Sequence, residues 1–179
     1  MFPYTDIRVI TNGLLVTKMN QKLIDSLRNS HATFIVTGYK PIMYEHEKIH
    51  YFLESMGIKH EISDVVTEFQ KIYNYRGESD IQNNFKSCHW KKSCATFYNG
   101  FMATCFVPFV IHYLSDAFSL DIQQSGVLDL FEKNLTTAKI HEFLNTPFEL
   151  CQYCNDKRIS AEWELVSKES RNCITDWSI

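Results

Sequence analysis

Five of the six cysteines in this 179-residue chain fall in two short segments, and the first 87 residues contain none. The grouped thiols are Cys88, Cys94, Cys105, Cys151 and Cys154. The last two form a C-x2-C pair, a spacing that puts two thiolates within reach of one ion or cluster. Four soft thiolates without oxygen ligands select zinc or iron–sulfur chemistry over hard cations. The grouping therefore predicts a metal site and leaves both kinds of metal open.

Two other interpretations of these thiols stay open, namely small buried hydrophobic side chains and disulfide partners. The segment Met1–Arg8 lacks the basic and apolar regions of a signal peptide, and no apolar run approaches the roughly 18 residues of a membrane span. We therefore predict a cytoplasmic protein without a membrane partner, in which thiols persist as thiols or as ligands. Cys173 has no nearby companion and is predicted to be an ordinary residue.

Composition limits the class of protein further. The chain carries 18 basic and 21 acidic residues, for a net charge of -3, so it lacks the basic excess that attracts nucleic acid. We therefore predict no nucleic-acid partner. An apolar content of 45% in a chain of this length can build one ordinary domain or two small ones.

The first half of the chain alternates β-branched runs with helical periodicity. The predicted elements are, in order, a strand at Arg8–Thr11, a helix containing Met19 and Leu27, a strand at Thr33–Thr37 closed by Gly38, a helix containing Ile49 and Met56, and a weaker strand between Ile58 and Val66. This alternation predicts parallel β/α units. Two and a half such units cannot close a barrel, and they leave a strand edge unpaired, which indicates that part of the fold is missing upstream.

The second half of the chain differs from the first in its polarity and periodicity. Residues 73–92 are polar and show no clear period, so we place a domain boundary here and predict domains at 1–80 and 81–179. Asn99-Gly100 predicts a hairpin whose open end brings Cys94 and Cys105 together. Residues 106–120 form either a helix or a buried segment. Short helices are predicted at 125–135 and 136–144, and a closing strand or helix over the cysteines at 162–168.

The cysteine spacing resembles a known arrangement. Cys88, Gly100 and Cys105, followed by the C-x2-C pair, are similar to the C-x(9–15)-G-x4-C and C-x2-C motifs of SPASM and twitch domains, which follow the barrel in many radical S-adenosylmethionine enzymes. The resemblance implies one auxiliary [4Fe-4S] cluster on Cys88, Cys105, Cys151 and Cys154, with Cys94 able to replace Cys88. The chain lacks the further C-x2-C-x5-C-x3-C run, so the resemblance is to the one-cluster form.

The first half is similar to the same family. The strand ending in Thr-Asn-Gly13 resembles the third strand of these barrels, and Phe34–Tyr39 resembles the fourth, with Thr37 in place of a serine. The resemblance implies an α/β fold with about half of a TIM-like parallel β/α barrel, followed by a small α+β cysteine-rich domain. It also implies that Asn12 and Thr37 face S-adenosylmethionine.

The family's C-x3-C-x2-C loop and Gly-Gly-Glu strand are absent from this sequence. The resemblance thus implies the C-terminal portion of an enzyme, unable to cleave S-adenosylmethionine alone, whose partner is the missing half of the barrel or a redox protein. The substrate, a peptide or a small molecule, stays open. A non-enzymatic zinc module with four cysteine ligands, and an iron–sulfur electron carrier or partner subunit, are the alternatives.

A second motif predicts a different metal site. His46-Glu47-x-x-His50 matches H-E-x-x-H, in which two histidines on one helix face hold zinc and the glutamate acts as general base. A third ligand would have to be His60 or Glu61. Against this site, the apolar residues from Ile49 to Met56 already define the packed helix face.

Overall fold

The computed structural model describes residues 5–93, 95–162 and 173–179. The chain divides into two compact units, Met1–Phe69 and Gln70–Ile179. This division falls about ten residues before the boundary predicted from composition; the assignment of domains to 1–80 and 81–179 stays a prediction. No helix in the described ranges is long and apolar enough to cross a membrane.

The first unit is a three-stranded parallel sheet with two helices. Its elements are β1 (Arg8–Thr11), α1 (Gln21–Asn29), β2 (Thr33–Tyr39), α2 (His46–Ser55) and β3 (His60–Val66). The strands lie in the order β1-β2-β3, and both pairings are parallel. The prediction of parallel β/α units is confirmed. The sheet is not closed into a barrel. These strands and helices therefore establish a mixed α/β fold.

Capping and apolar periodicity account for the two helices. Asn20 caps the N-terminus of α1, because its side-chain oxygen accepts a hydrogen bond from the Leu23 N–H at 2.9 Å. Ile24 and Leu27 are the buried residues of this helix. Ile49 and Leu53 are buried on α2. The core they share consists of Val16, Ile24, Leu27, Phe34, Val36, Ile42, Ile49, Leu53 and Ile58.

Gly38 lies inside β2 rather than at its end, because the strand continues to Tyr39. The pairing of β2 with β3 shifts register between Val36 and Gly38, and the Gly38 N–H donates to Ser63 Oγ at 3.0 Å. A Cβ at this position would lie 2.6 Å from the Ser63 carbonyl oxygen. The glycine is therefore needed for the close approach of two backbones.

The second unit combines a two-stranded and a three-stranded sheet with helices. Its elements are β4 (Glu68–Tyr73, which crosses the division between the units), α3 (Ile81–Ser87), α4 (His89–Ser93), β5 (Thr96–Tyr98), β6 (Phe101–Ala103), α5 (Val107–Phe118), β7 (Leu128–Asp129), α6 (Thr137–Asn145), a 3₁₀ helix (Glu149–Tyr153) and β8 (Cys154–Glu162). β4 pairs with β8, and β5, β6 and β7 form an antiparallel sheet in that order.

The predictions for this unit are partly confirmed. Asn99 and Gly100 form the hairpin turn between β5 and β6, both with positive φ, at 48° and 83°. Residues 106–120 contain helix α5, and the Thr136 hydroxyl caps α6 by accepting from the Lys139 N–H.

The predicted helix at 125–135 is wrong. Gly126 has φ 79°, Leu128–Asp129 pair with β6, and the Asp129 carboxylate accepts from the Phe131 N–H to form a turn. The polar stretch that showed no period contains helix α3, capped by Asp80. Residues 163–168 of the predicted closing element lie outside the described residues, whereas Glu162 ends β8.

Candidate metal centre

Four of the five grouped cysteines come from three separate parts of the second unit. Cys88 follows the last residue of α3, and Cys105 lies between β6 and α5. Cys151 lies in the 3₁₀ helix and Cys154 is the first residue of β8. All four are free thiols. Cys105 and Cys151 are buried, and Cys88 and Cys154 are half-buried.

These four thiols line the same small cavity. Its volume is about 30 Å³, and its cysteine lining consists of Cys88, Cys105, Cys151 and Cys154. A second cavity of about 140 Å³ is lined by Cys88, Cys105 and Cys154 together with Trp90 and Asn155. The fold therefore brings together side chains that are up to 66 positions apart in the sequence (Cys88 to Cys154).

Asn84 holds the C-x2-C turn in place. The Asn84 side-chain amide donates to the carbonyl oxygens of Cys151 and Cys154, at 2.9 and 2.7 Å, and Asn84 is only 7% exposed. The backbone N–H groups of Asn74 and Ser79 donate to the carbonyls of the two residues between these cysteines. The polar segment before α3 thus frames the turn and orients its two thiols.

The surroundings of the two C-x2-C thiols, Cys151 and Cys154, disfavour their thiolate forms. Burial, with the nearby Cys105, Cys151 and Cys88, raises the pKa of Cys154 to about 12. Burial also raises the pKa of Cys151, although the Phe148 backbone and Lys91 act in the opposite direction. The pKa of Tyr73 is raised by burial and by Cys154 and Cys105. A metal ion here would have to displace protons, so its affinity would rise with pH.

The side chains converge without forming a complete coordination sphere. Within residues 5–93, 95–162 and 173–179, no group of three or more His, Cys, Asp or Glu side chains is already arranged to hold a metal ion. The finding that supports the predicted site is the convergence of four cysteines on one cavity. Rotation about the Cα–Cβ bonds would be required to direct the sulfur atoms at a common centre.

The other two cysteines differ from these four. Cys94, predicted as a possible substitute for Cys88, lies outside the described residues. Cys173 is exposed, and its sulfur lies 2.8 Å from the Thr175 hydroxyl oxygen. It does not line either of the two cysteine-lined cavities.

Asn12 and Thr37, predicted to face S-adenosylmethionine, lie near the carboxyl ends of neighbouring strands. The register pairs Thr11, the last residue of β1, with Val36 of β2. Asn12 and Thr37 are the residues that follow this pair. Asn12 is exposed, and its side-chain oxygen accepts a hydrogen bond from the Leu14 N–H at 3.2 Å. Thr37 is half-buried. The hydrogen bond gives Asn12 a turn-forming role, and the cofactor contacts stay predictions.

The two histidines of H-E-x-x-H have different surroundings. His46 Nε2 is buried without a hydrogen-bond partner among the described residues. His50 contacts His60 instead, and the distance between His50 Nδ1 and His60 Nε2 is 2.8 Å. This arrangement pairs the second histidine of the motif with a histidine outside it.

The sequence did not predict two of the residues that line the cysteine cavities, Asn84 and Thr104. Asn84 gave no signal because its partners lie 67 and 70 positions later in the chain. Thr104 precedes Cys105, lines the small cavity and is 3% exposed. Its hydroxyl has no hydrogen-bond partner in the described part of the chain. Adjacency to a predicted ligand was the only sequence signal for Thr104.

We compared the chain with protein-family models, with curated proteins and with solved structures, and none of the three comparisons gave a match.

Replacing Asn84 by alanine should loosen the C-x2-C turn. The carbonyl oxygens of Cys151 and Cys154 would lose the Asn84 donor, while that of Cys151 keeps the Cys154 N–H, and we expect this loss to lower the free energy of unfolding by about 2 kcal/mol. Denaturant titration of the apoprotein measures this change. Asn83→Ala is the matched control, because Asn83 is exposed in the same helix. Equal stability of the two variants would show that the amide does not hold the turn.

Proposed function

We propose that the second unit binds one [4Fe-4S] cluster and that the chain is the auxiliary-cluster portion of a radical S-adenosylmethionine enzyme. The observation that carries this proposal is the convergence of four thiols on one cavity in the second unit. The proposed ligands are Cys88, Cys105, Cys151 and Cys154. Random burial of four cysteines would not place all of them around the same space.

The chemistry of the cavity fits a cluster held by thiolates. The donor set is four sulfur atoms, which iron–sulfur clusters and zinc both accept. Lys91 also lines the small cavity, and its positive charge suits the net negative charge of a metal centre with four thiolates. The Thr104 hydroxyl, which has no hydrogen-bond partner among the described residues, could donate to a sulfur atom.

The space beside the thiols favours a cluster over a single ion. A structural zinc site is closed, with its ligands packed around one ion. Here the 140 Å³ cavity shares Cys88, Cys105 and Cys154 with the small one, so there is room next to the sulfur atoms. When bound, the cluster would supply a centre for electron transfer or for binding a substrate.

The first unit would then be about half of a parallel β/α barrel. Its three parallel strands suit that proposal, with Asn12 and Thr37 as the proposed cofactor-facing side chains. Because the C-x3-C-x2-C motif is absent from the sequence, we propose that this chain does not cleave S-adenosylmethionine unaided. The radical chemistry would need the rest of such a barrel or a redox partner.

The second candidate function is a zinc-stabilised module without enzymatic activity. One observation favours it: the small cavity has a volume of about 30 Å³ and is lined by all four thiols, which suits one ion. An electron-carrier or partner-subunit role would use the same cluster and the same ligands.

Anaerobic reconstitution with iron and sulfide separates the cluster from the zinc ion. We expect about four irons and four sulfides per chain, since that is the composition of the cluster, together with broad visible charge-transfer absorption. The same protein purified with zinc should exchange that zinc for the cluster. A colourless protein that retains one zinc through reconstitution would refute the cluster and favour the zinc module.

A further inference from the structure

The rings of His50 and His60 are in contact in the first unit, with their planes tilted by 57°. His50 lies on α2 and His60 is the first residue of β3. His50 Nδ1 lies 2.8 Å from His60 Nε2, and the ring centroids are 5.0 Å apart. Two ring nitrogens, each able to act as a metal ligand, therefore meet at one point.

The second nitrogen of each ring lies near an acceptor. His60 Nδ1 is 2.8 Å from the Ile58 carbonyl oxygen, which can only accept, so this nitrogen carries the proton and Nε2 presents a lone pair. His50 Nε2 is 3.7 Å from Glu54 Oε2. A backbone carbonyl or carboxylate at the outer nitrogen is the usual support of a histidine that binds a metal.

The proton arrangement without a metal is unfavourable for neutral rings. Since His60 Nε2 carries no proton, His50 Nδ1 must donate to it, and neutral His50 then has a bare Nε2. That lone pair faces the Glu54 carboxylate. A second proton on His50 removes the conflict. A cation between His50 Nδ1 and His60 Nε2 also removes it, because His50 can then carry its proton on Nε2 and direct it at Glu54.

The geometry points to a divalent transition-metal site on His50 and His60, separate from the cysteine cavity. Imidazole pairs suit Zn²⁺, Ni²⁺ and Cu²⁺ and not Mg²⁺ or Ca²⁺. Tetrahedral ligation with Zn–N bonds of about 2.0–2.1 Å sets the two nitrogens about 3.3 Å apart, so the rings must separate by about half an ångström. The His50 side chain is 51% exposed and can move by that amount.

This site differs from H-E-x-x-H zinc binding. Water completes the coordination of two protein ligands, and Glu54 supports His50 from outside. His46 does not take part, because its Nε2 is buried. The two ligands, His50 and His60, are ten positions apart in the sequence. The connection from α2 to β3 brings their side chains together.

Histidine ring NMR of the full chain tests the site during titration with Zn²⁺, after the cysteine centre has been loaded. We expect the ring signals of both residues to respond, His50 through Nδ1 and His60 through Nε2, with no response to Mg²⁺. In His50→Ala the zinc concentration needed to shift His60 should rise at least tenfold. Because the readout is at named ring nitrogens, it does not depend on which metal the cysteines hold.

His141→Ala and His46→Ala are the controls. His141 is exposed on α6, and neither variant should change the zinc response of His50 and His60. The proposal is overturned if millimolar Zn²⁺ leaves both rings unshifted, or if His60 responds equally in His50→Ala. It is also overturned if His46→Ala abolishes the response, since zinc bound by H-E-x-x-H requires that result. Backbone amide spectra confirm that each variant is folded.

Discussion

Replacing Cys151 or Cys154 by serine should reduce the metal content of the reconstituted chain from one centre per molecule to nearly none. A serine hydroxyl is a hard oxygen that stays protonated where a thiol becomes a thiolate ligand. Both cysteines line the small cavity, and Asn84 fixes the turn that carries them. Metal and sulfide analysis, together with visible absorption, measures the loss.

Cys173→Ser is the matched control for these variants. Its thiol is exposed and is not part of either cysteine-lined cavity, so this variant should keep its full metal content. Unchanged metal content in either C-x2-C variant would refute the ligand assignment. A loss in all three variants would instead indicate a general effect of handling on the protein.

A comparison of Cys88→Ser with Cys94→Ser identifies the fourth ligand. We expect Cys88→Ser to lose the metal, because Cys88 lines both cavities that contain the C-x2-C thiol Cys154. Cys94→Ser should then retain it. The opposite result would transfer the ligand role to Cys94, the alternative that the sequence spacing left open.

Local periodicity and turn chemistry predicted much of the fold. The apolar spacing of Ile49 and Leu53 identified α2, and Asn99-Gly100 identified the hairpin. Four of the five grouped cysteines line one cavity, and their role as metal ligands stays a prediction. For the helix and the hairpin the signal lies within a few residues of the element that it predicts, which is why one sequence was sufficient.

The missed features depend on contacts between distant parts of the chain. α3 is a short polar helix whose buried residues include Asn84. The Asn84 side chain forms a hydrogen bond to a turn 67 positions away in the sequence. β7 has only two residues and exists because β6 supplies an edge. The sequence offers His60 as a third ligand for H-E-x-x-H, but periodicity does not show that the His60 ring contacts the ring of His50.

Gly38→Ala should be the most destabilising single-methyl change in the first unit. The added Cβ would lie 2.6 Å from the Ser63 carbonyl oxygen and 2.8 Å from that of Asp64, and both atoms are backbone. No side-chain rotation can relieve this contact, so β2 and β3 must separate where their register shifts. We expect a loss of about 3 kcal/mol in the free energy of unfolding. Amide hydrogen exchange of β1, β2 and β3 measures it.

Gly57→Ala is the control that distinguishes the steric clash at Gly38 from the general loss of stability when a glycine is replaced. Gly57 has φ 65°, and the nearest atom to its added Cβ is Arg28 Nε at 3.7 Å, so the change should cost only about 1 kcal/mol of backbone strain. Each unit has its own apolar cluster, so exchange of the β5 and β6 amides should change little in either variant. If Gly38→Ala costs no more than Gly57→Ala, the close approach of β2 and β3 at the register shift does not require glycine.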